Sequence, residues 1–338
     1  MTTPDPSPII DLMYAFRTSK VMFTAVRMGV FDRLDREPAT AATVAMELAA
    51  NADALERLLD ACIGLGLLER GDDGRYANTA PAKAYLCRET PGTLAGYVLF
   101  SDQALYAMWG NLESAVREGS NRWRQTFQME GNMFEHFFRD ADSMGGFLLG
   151  LHGYGVISSP RVVAAFDLSR YKKLIDLGGG SGHLAIAACE RYPNLRAAVF
   201  ELPRVIEFAR EMAQLSPAAD RIEMIAGDFF REDLPEADLY SVGQILHDWG
   251  EDKINLLLKK IYERLPSGGA LLIGEKLLDA GKRGSIAAHL QSLNMLICTD
   301  GKERTLEEYS SLLRRAGFSE VRGHITGARV DAILASKA

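Results

Sequence analysis

The stretch QILHDWGEDK, Gln244 to Lys253, brings a histidine, an acid and a tryptophan together just after the apolar run ADLYSVG. That run reads as a buried strand, and in open α/β sheets ligands bind outside the carboxyl ends of the strands. His247 there is a candidate general base, with Asp248 beside it. The same residues could simply start a helix, with Asp248 as N-cap and Glu251 as its capping-box partner. Trp249 reads as a packing residue or as part of a substrate-binding wall.

A second chemical signal is DLGGGSG, Asp176 to Gly182, between an expected strand and an expected helix. Glycines at such a turn let a ligand approach the backbone closely. The dinucleotide spacing G-x-G-x-x-G fails, because its third glycine would fall at His183. Gly178, Gly180 and Gly182 alternate instead, behind the acid Asp176. Two further strand ends carry matching chemistry. Glu201, in VFELP, can accept both ribose hydroxyls of a nucleoside. Asp228 and Phe229, in AGDFF, can accept an adenine amino group and stack on the base. Each alone reads as a surface acid or a core ring, but together they describe a pocket for an adenosine-containing cofactor. The loop has no lysine, which disfavours a phosphate-binding loop. S-adenosylmethionine fits better.

The elements that must position these residues alternate from about residue 161 onward. YKKLIDL, LRAAVFE, IEMIAGD, ADLYSVG and ALLIGEK read as strands separated by helices, and SEVRGHIT and RVDAILASK follow as two more. Such alternation predicts a parallel sheet covered on both faces. Nearer the start, helices are expected at Thr43–Ala49 and Ala52–Leu65, with Asn51 as a cap between them, then a hairpin turning at Gly71 to Gly74. Helix, helix and hairpin outline a winged helix, which raises a DNA-binding regulator as a rival reading. Its second helix sets Asp53, Glu56 and Asp60 against Arg57 alone, so phosphates would be repelled. A packing and dimerisation module is the better expectation. The first helix supports it through the wide apolar face from Ile9 through Met13, Phe16, Val21, Phe23 and Val26, which needs a large partner. Between the two regions the chain is helical and aromatic-rich, including Trp109, Trp123, Phe134, Phe137, Phe138 and Phe147. Some of these rings, with His136 and His152, are candidates to line a pocket for a flat substrate.

Bulk properties agree. The chain has 338 residues, 47% of them hydrophobic and 25% charged, with a net charge of −7 that argues against nucleic-acid or anionic-membrane binding. No apolar run reaches the roughly 20 residues of a membrane span. The first residues lack a basic segment followed by an apolar one, so no secretory signal is expected. Cys62, Cys87, Cys189 and Cys298 are scattered, which fits a reduced cytoplasmic setting with neither disulfides nor a zinc site. No metal site is expected, since the histidines form no HExxH or His-x-His.

The set DLGGGSG, VFELP, AGDFF, ILHDW and GKER resembles the small-molecule O-methyltransferases with an N-terminal winged-helix dimerisation domain, and within them the acetylserotonin O-methyltransferase branch. The likeness covers nearly the whole chain. It implies a doubly wound, Rossmann-like α/β catalytic domain over residues 161–338, a mostly helical winged-helix dimerisation domain over 1–95 and a helical linker over 96–160 that contributes to the substrate pocket. It further implies a homodimer, S-adenosylmethionine as methyl donor, and a phenolic or hydroxyindole acceptor. Methyl transfer to nitrogen, or another cofactor-dependent reaction on the same fold, is the alternative. By the same resemblance His247 is the base, Glu275 and Glu303 flank it, and Asn294 touches substrate. The usual basic residue three places before the histidine is replaced here by Gln244, which keeps hydrogen-bonding capacity but not charge.

Overall fold

The computed structural model describes residues 4–129 and 141–338. Phe134, Phe137, Phe138 and His136 lie outside the described residues. The chain divides into two compact units, Met1–Tyr106 and Ala107–Ala338, so the division falls inside the segment expected as a linker.

The first unit opens with the helix Ser7–Met28, ended by Gly29 in the left-handed conformation that a C-cap favours. Its two halves behave differently. Ala25 and Val26 are buried in the unit's own core, whereas Ile9, Leu12, Met13 and Phe16 are 53–73% exposed. Helices Ala41–Glu47 and Ala52–Gly64 follow, and Asn51 caps the second through Oδ1, which accepts from Ala54 N–H at 3.0 Å. The hairpin pairs β1 (Leu68–Arg70) with β2 (Tyr76–Asn78). The acids of the second helix are used locally: Asp60 accepts from the Tyr76 hydroxyl at 2.7 Å, and Asp53 pairs with Arg57.

The second unit is built on a seven-stranded sheet. Its strands are β3 (Lys173–Leu177), β4 (Arg196–Glu201), β5 (Ile222–Ala226), β6 (Leu239–Gly243) and β7 (Ala270–Glu275), then β10 (Glu320–His324) and β11 (Asp331–Ser336). Two-residue strands β8 (Leu277–Leu278) and β9 (Arg304–Thr305) pair separately. The sheet order is β10-β11-β7-β6-β3-β4-β5. Strands β3 to β7 are parallel, because a helix returns the chain between most successive members. The expectation of a wholly parallel sheet needs one correction. β11 runs antiparallel to β7, and β10 antiparallel to β11. The short connection from His324 to Asp331 cannot accommodate a crossover, so it makes a hairpin.

Two apolar clusters fill this unit. One gathers Ile175, Phe200, Tyr240, Ile254 and Leu271, and the other gathers Leu174, Leu184, Val199, Leu239 and Leu272. Neighbouring residues of one strand thus enter different clusters, as alternation across a sheet covered on both faces requires. Chain order fixes where a ligand can enter. From β3 the chain steps outward to β4 and β5, then crosses to β6 on the other side of β3. The carboxyl ends of β3 and β6 therefore form a topological switch point, where such sheets open a crevice.

Candidate active site

The glycine loop and the histidine loop meet at that switch point. Gly178, Gly180 and Gly182 all have positive φ, at 65°, 57° and 77°. A Cβ on Gly178 would lie 2.7 Å from Ile245 Cδ1 and 3.1 Å from Phe229 Cε1, so that glycine is required by close approach as well as by backbone conformation. Three of the predicted segments, DLGGGSG, AGDFF and QILHDW, therefore converge. Glu201 joins them: its Oε2 accepts from Gly180 N–H at 2.9 Å and its Oε1 from Leu202 N–H at 2.7 Å. Burial raises the Glu201 carboxyl, and these two N–H groups oppose the rise. Asp176 sits beneath the loop, accepting from the Ser241 hydroxyl at 2.6 Å, and burial pushes it up to about 7. Asp228 Oδ1 accepts from Phe230 N–H at 2.9 Å, which fixes the turn after β5. Glu201 and the loop glycines, with Asp228 and Phe229 at the next strand end, fit an adenosine-bearing group.

Gln244 follows β6 at φ 54°, an uncommon conformation for a residue with a side chain, and its N–H donates to Gly274 O at 2.8 Å. This sharp exit turns the next residues into the short 3-10 turn Leu246–Asp248. Here the capping-box expectation fails. The following helix is Glu251–Arg264, its N-cap is Gly250, and no side chain caps it. Asp248 is buried in the turn instead, with Oδ1 3.7 Å from His247 Nε2.

His247 is buried, and its Nδ1 lies 2.6 Å from Glu303 Oε1 and 3.2 Å from Glu275 Oε2. The other oxygen of Glu275 accepts from the main chain of the histidine loop: Ile245 N–H at 3.1 Å, Leu246 N–H at 2.8 Å and His247 N–H at 3.3 Å. Glu275 thus holds the loop, and Glu303 holds the ring. Burial works against the imidazolium, but the carboxylates of Glu275 and Glu303 outweigh it and push His247 up to about 10. Burial pushes Glu275 up to about 7 and Asp248 to about 6, so the cluster shares its protons rather than titrating one group at a time.

The two glutamates come from distant parts of the sequence. The parallel pairing of Leu277 with Arg304 brings the GKER segment alongside the end of β7. Two residues of GKER to which the sequence reading gave no role, Gly301 and Arg304, complete this arrangement. A Cβ on Gly301 would lie 1.9 Å from His247 O, so the GKER segment can pack here only with glycine at that position. Buried Arg304 donates through Nη1 to Leu246 O at 3.4 Å. The ligand atoms of His247, Glu275 and Glu303 lie within 4.8 Å of one another, a spacing that a divalent ion could use. Sequence spacing gave no sign of this grouping because its members come from three separate segments. The His247–Glu303 hydrogen bond and the main-chain bonds of Glu275 already give them a role without an ion.

The remaining predicted residues are spread around this centre. Trp249 packs edge-to-face on Phe230 at 5.4 Å, with Lys253 Nζ 3.9 Å from its ring centre. Asn294, in the helix Ile286–Cys298, accepts through Oδ1 from Trp109 Nε1–H at 3.0 Å. His152 reaches the glycine loop, with Nδ1 2.8 Å from Ser181 Oγ.

Fold and site together define a Rossmann-like α/β enzyme with a buried histidine–carboxylate cluster beside a glycine loop. The chain belongs to the O-methyltransferase family: residues 109–319 match the O-methyltransferase domain and residues 10–88 the O-methyltransferase dimerisation domain. It is 40% identical to acetylserotonin O-methyltransferase of Bos taurus, over 95% of each protein. It is 39% identical to a probable bifunctional dTTP/UTP pyrophosphatase/methyltransferase protein of Homo sapiens, over 99% of this chain but only 54% of that protein, so it spans about half of that relative. The structure of human N-acetylserotonin methyltransferase in complex with SAM is similar over 100% of this chain and 99% of that one, with a TM-score of 0.93 and 37% identity.

Proposed function

We propose that the chain transfers a methyl group from S-adenosylmethionine to the hydroxyl of a small phenolic or hydroxyindole acceptor, with His247 as general base. The observation that carries this reading is the buried His247–Glu303 hydrogen bond, 2.6 Å long, at the switch point beside the glycine loop. Bound S-adenosylmethionine supplies an electrophilic methyl on a sulfonium centre. The protein has to hold that group, orient the acceptor and remove one proton. Gly178, Gly180, Gly182, Glu201, Asp228 and Phe229 hold the cofactor, supported by Asp176 and, just after β6, by Gln244. Asn294, with Trp249, borders the acceptor.

The proton chemistry follows from the cluster. With Nδ1–H donated to Glu303, the lone pair of the neutral ring is on Nε2, which takes the hydroxyl proton as the oxygen attacks. A phenol has a pKa of about 10. The flanking carboxylates raise the imidazolium pKa toward the phenol range, which makes the ring a stronger base for this proton. Glu303 stabilises the imidazolium as it forms, in the manner of acids beside catalytic histidines. No covalent enzyme intermediate is needed, and orientation contributes much of the rate.

The working form is a homodimer formed through residues 1–95, with 161–338 as the catalytic domain. The setting is cytoplasmic. Among the described residues no helix is long and apolar enough to cross a membrane.

The test is label transfer from methyl-labelled S-adenosylmethionine to a panel of N-acetylserotonin, simple phenols, catechols, flavonoids and amines, with EDTA present. Label on a hydroxylated aromatic, reduced by roughly 10²–10⁴-fold in His247→Ala, is expected. Methylation of amines alone, or full O-methylation by the variant, would remove the assignment.

A further inference from the structure

The long helix Ala141–Ala164 meets the glycine loop through contacts that the methyl-transfer chemistry does not use. His152 Nδ1 lies 2.8 Å from Ser181 Oγ, and Ser159 Oγ lies 2.7 Å from His183 Nδ1. One residue between them has no side chain. A Cβ on Gly155 would lie 2.2 Å from His183 Cδ2 and 2.3 Å from its Cγ, so the helix backbone rests directly on the imidazole ring. Positions 152, 155 and 159 are three and four residues apart and share one helix face.

The other partner in these contacts is the glycine loop with the first residue of the helix that follows it, His183–Arg191. Glycine loses more conformational freedom on ordering than any other residue, and Ser181 stands between Gly180 and Gly182. On its sheet side the loop is held by Gly178 N–H donating to Phe200 O at 2.8 Å and by Gly180 N–H donating to Glu201. On its other side it is held at Ser181 by His152, and at its junction with the next helix by the Ser159–His183 bond.

We propose that His152, Gly155, Ser159 and His183 form a clamp that fixes the glycine loop in its cofactor-binding shape, so that they position the cofactor rather than touch the acceptor. The proposal rests on the S-adenosylmethionine reading above, and it moves His152 away from its expected substrate contact. The choice of histidine is chemically apt. Burial lowers the pKa of both rings, His183 to about 4 with His152 contributing, so both are neutral near pH 7. A neutral imidazole still offers one donor and one acceptor to a hydroxyl, and it places no positive charge beside a loop that receives a cationic sulfonium.

The experiment is titration calorimetry of S-adenosylhomocysteine binding to the full chain, paired with steady-state kinetics in both substrates. His152→Ala and Ser159→Ala should each weaken S-adenosylhomocysteine by about tenfold, the equivalent of one hydrogen bond. The KM for S-adenosylmethionine should rise in step while the KM for acceptor stays put. His152→Asn, which can still bond Ser181, should recover most of the affinity. Gly155→Ala should lose more, and Gly155→Ala with His183→Ala should bind better than Gly155→Ala alone, because the overlap is gone. If Gly155→Ala does not fold, the His152 pair decides the matter. A higher acceptor KM with unchanged S-adenosylhomocysteine affinity in His152→Ala would overturn the clamp and return His152 to the acceptor. Failure of the unaltered chain to bind S-adenosylhomocysteine would overturn the cofactor reading as well, and so is distinguishable from failure of the clamp alone.

Discussion

At the scale of single residues, the two glutamates beside His247 do different work. Glu275 spends one oxygen on three main-chain N–H groups, whereas Glu303 makes the short bond to Nδ1. Their isosteric amides should therefore behave differently. Glu275→Gln retains an acceptor for the loop. Glu303→Gln removes the charge bonded to Nδ1, one of the two that stabilise the imidazolium. The sign of the pH effect follows. A carboxylate beside the ring favours its protonated form, so neutralising Glu303 lowers the pKa of His247 from its raised value of about 10. A base works only when unprotonated, so kcat/KM of the unaltered chain should climb with pH through the neutral and alkaline range. In Glu303→Gln the climb should move to lower pH and level off lower, because the imidazolium formed in the transition state has lost one of its stabilisers. A pH–rate profile for the two chains checks this. An unmoved profile would mean that Glu303 does not act on the ring.

At the scale of elements, the site depends on the packing of one turn against another. The segment carrying Glu303 crosses the backbone of the histidine loop at Gly301, where a Cβ would lie 1.9 Å from His247 O and 2.7 Å from Asp248 C. These are backbone atoms that cannot swing aside, so Gly301→Ala must push the segments apart and carry Glu303 off Nδ1. A misplacement of about 1 Å can cost roughly 10²-fold in rate. The expected outcome is a kcat loss of about that size with S-adenosylhomocysteine affinity little changed, since the glycine loop lies elsewhere; kinetics and calorimetry on one preparation would decide it. This contact also marks where the sequence stopped being legible. The strands of the sheet and the Asn51 cap follow from local periodicity and side-chain chemistry, so they could be read directly. His247 could be placed because its strand was evident. Gly301, Ser241 and Arg304 act through contacts with segments dozens of residues away, and no local pattern encodes such contacts. The capping-box alternative fails for a related reason. Asp248 and Glu251 have the right spacing, but the left-handed exit at Gln244 turns Asp248 toward His247 and leaves Gly250 to begin the helix. The antiparallel edge escaped because strand period reveals no direction.

At the largest scale, the first helix requires a cover. Its C-terminal half is anchored by Ala25 and Val26, but Ile9, Leu12, Met13 and Phe16 stand at 64%, 73%, 60% and 53% exposure. Contiguous exposed apolar side chains of this kind mark an interaction surface, and residues 10–88 match a dimerisation domain. The simplest occupant is the same face of a second copy, because a two-fold dimer needs only one self-complementary patch. Burying these side chains is worth about 1.5–3 kcal/mol apiece when complete, so charges placed among them should be costly to the dimer and nearly neutral to the isolated fold. Leu12→Asp with Phe16→Asp should convert a dimer mass to a monomer mass in light scattering at micromolar protein, with the circular dichroism spectrum preserved. The glycine loop, Glu201 and His247 all lie in the other unit, so S-adenosylhomocysteine should still bind the monomer. A monomer mass for the unaltered chain would refute the dimer. A dimer that survives both charges would place its interface on another face of residues 1–95.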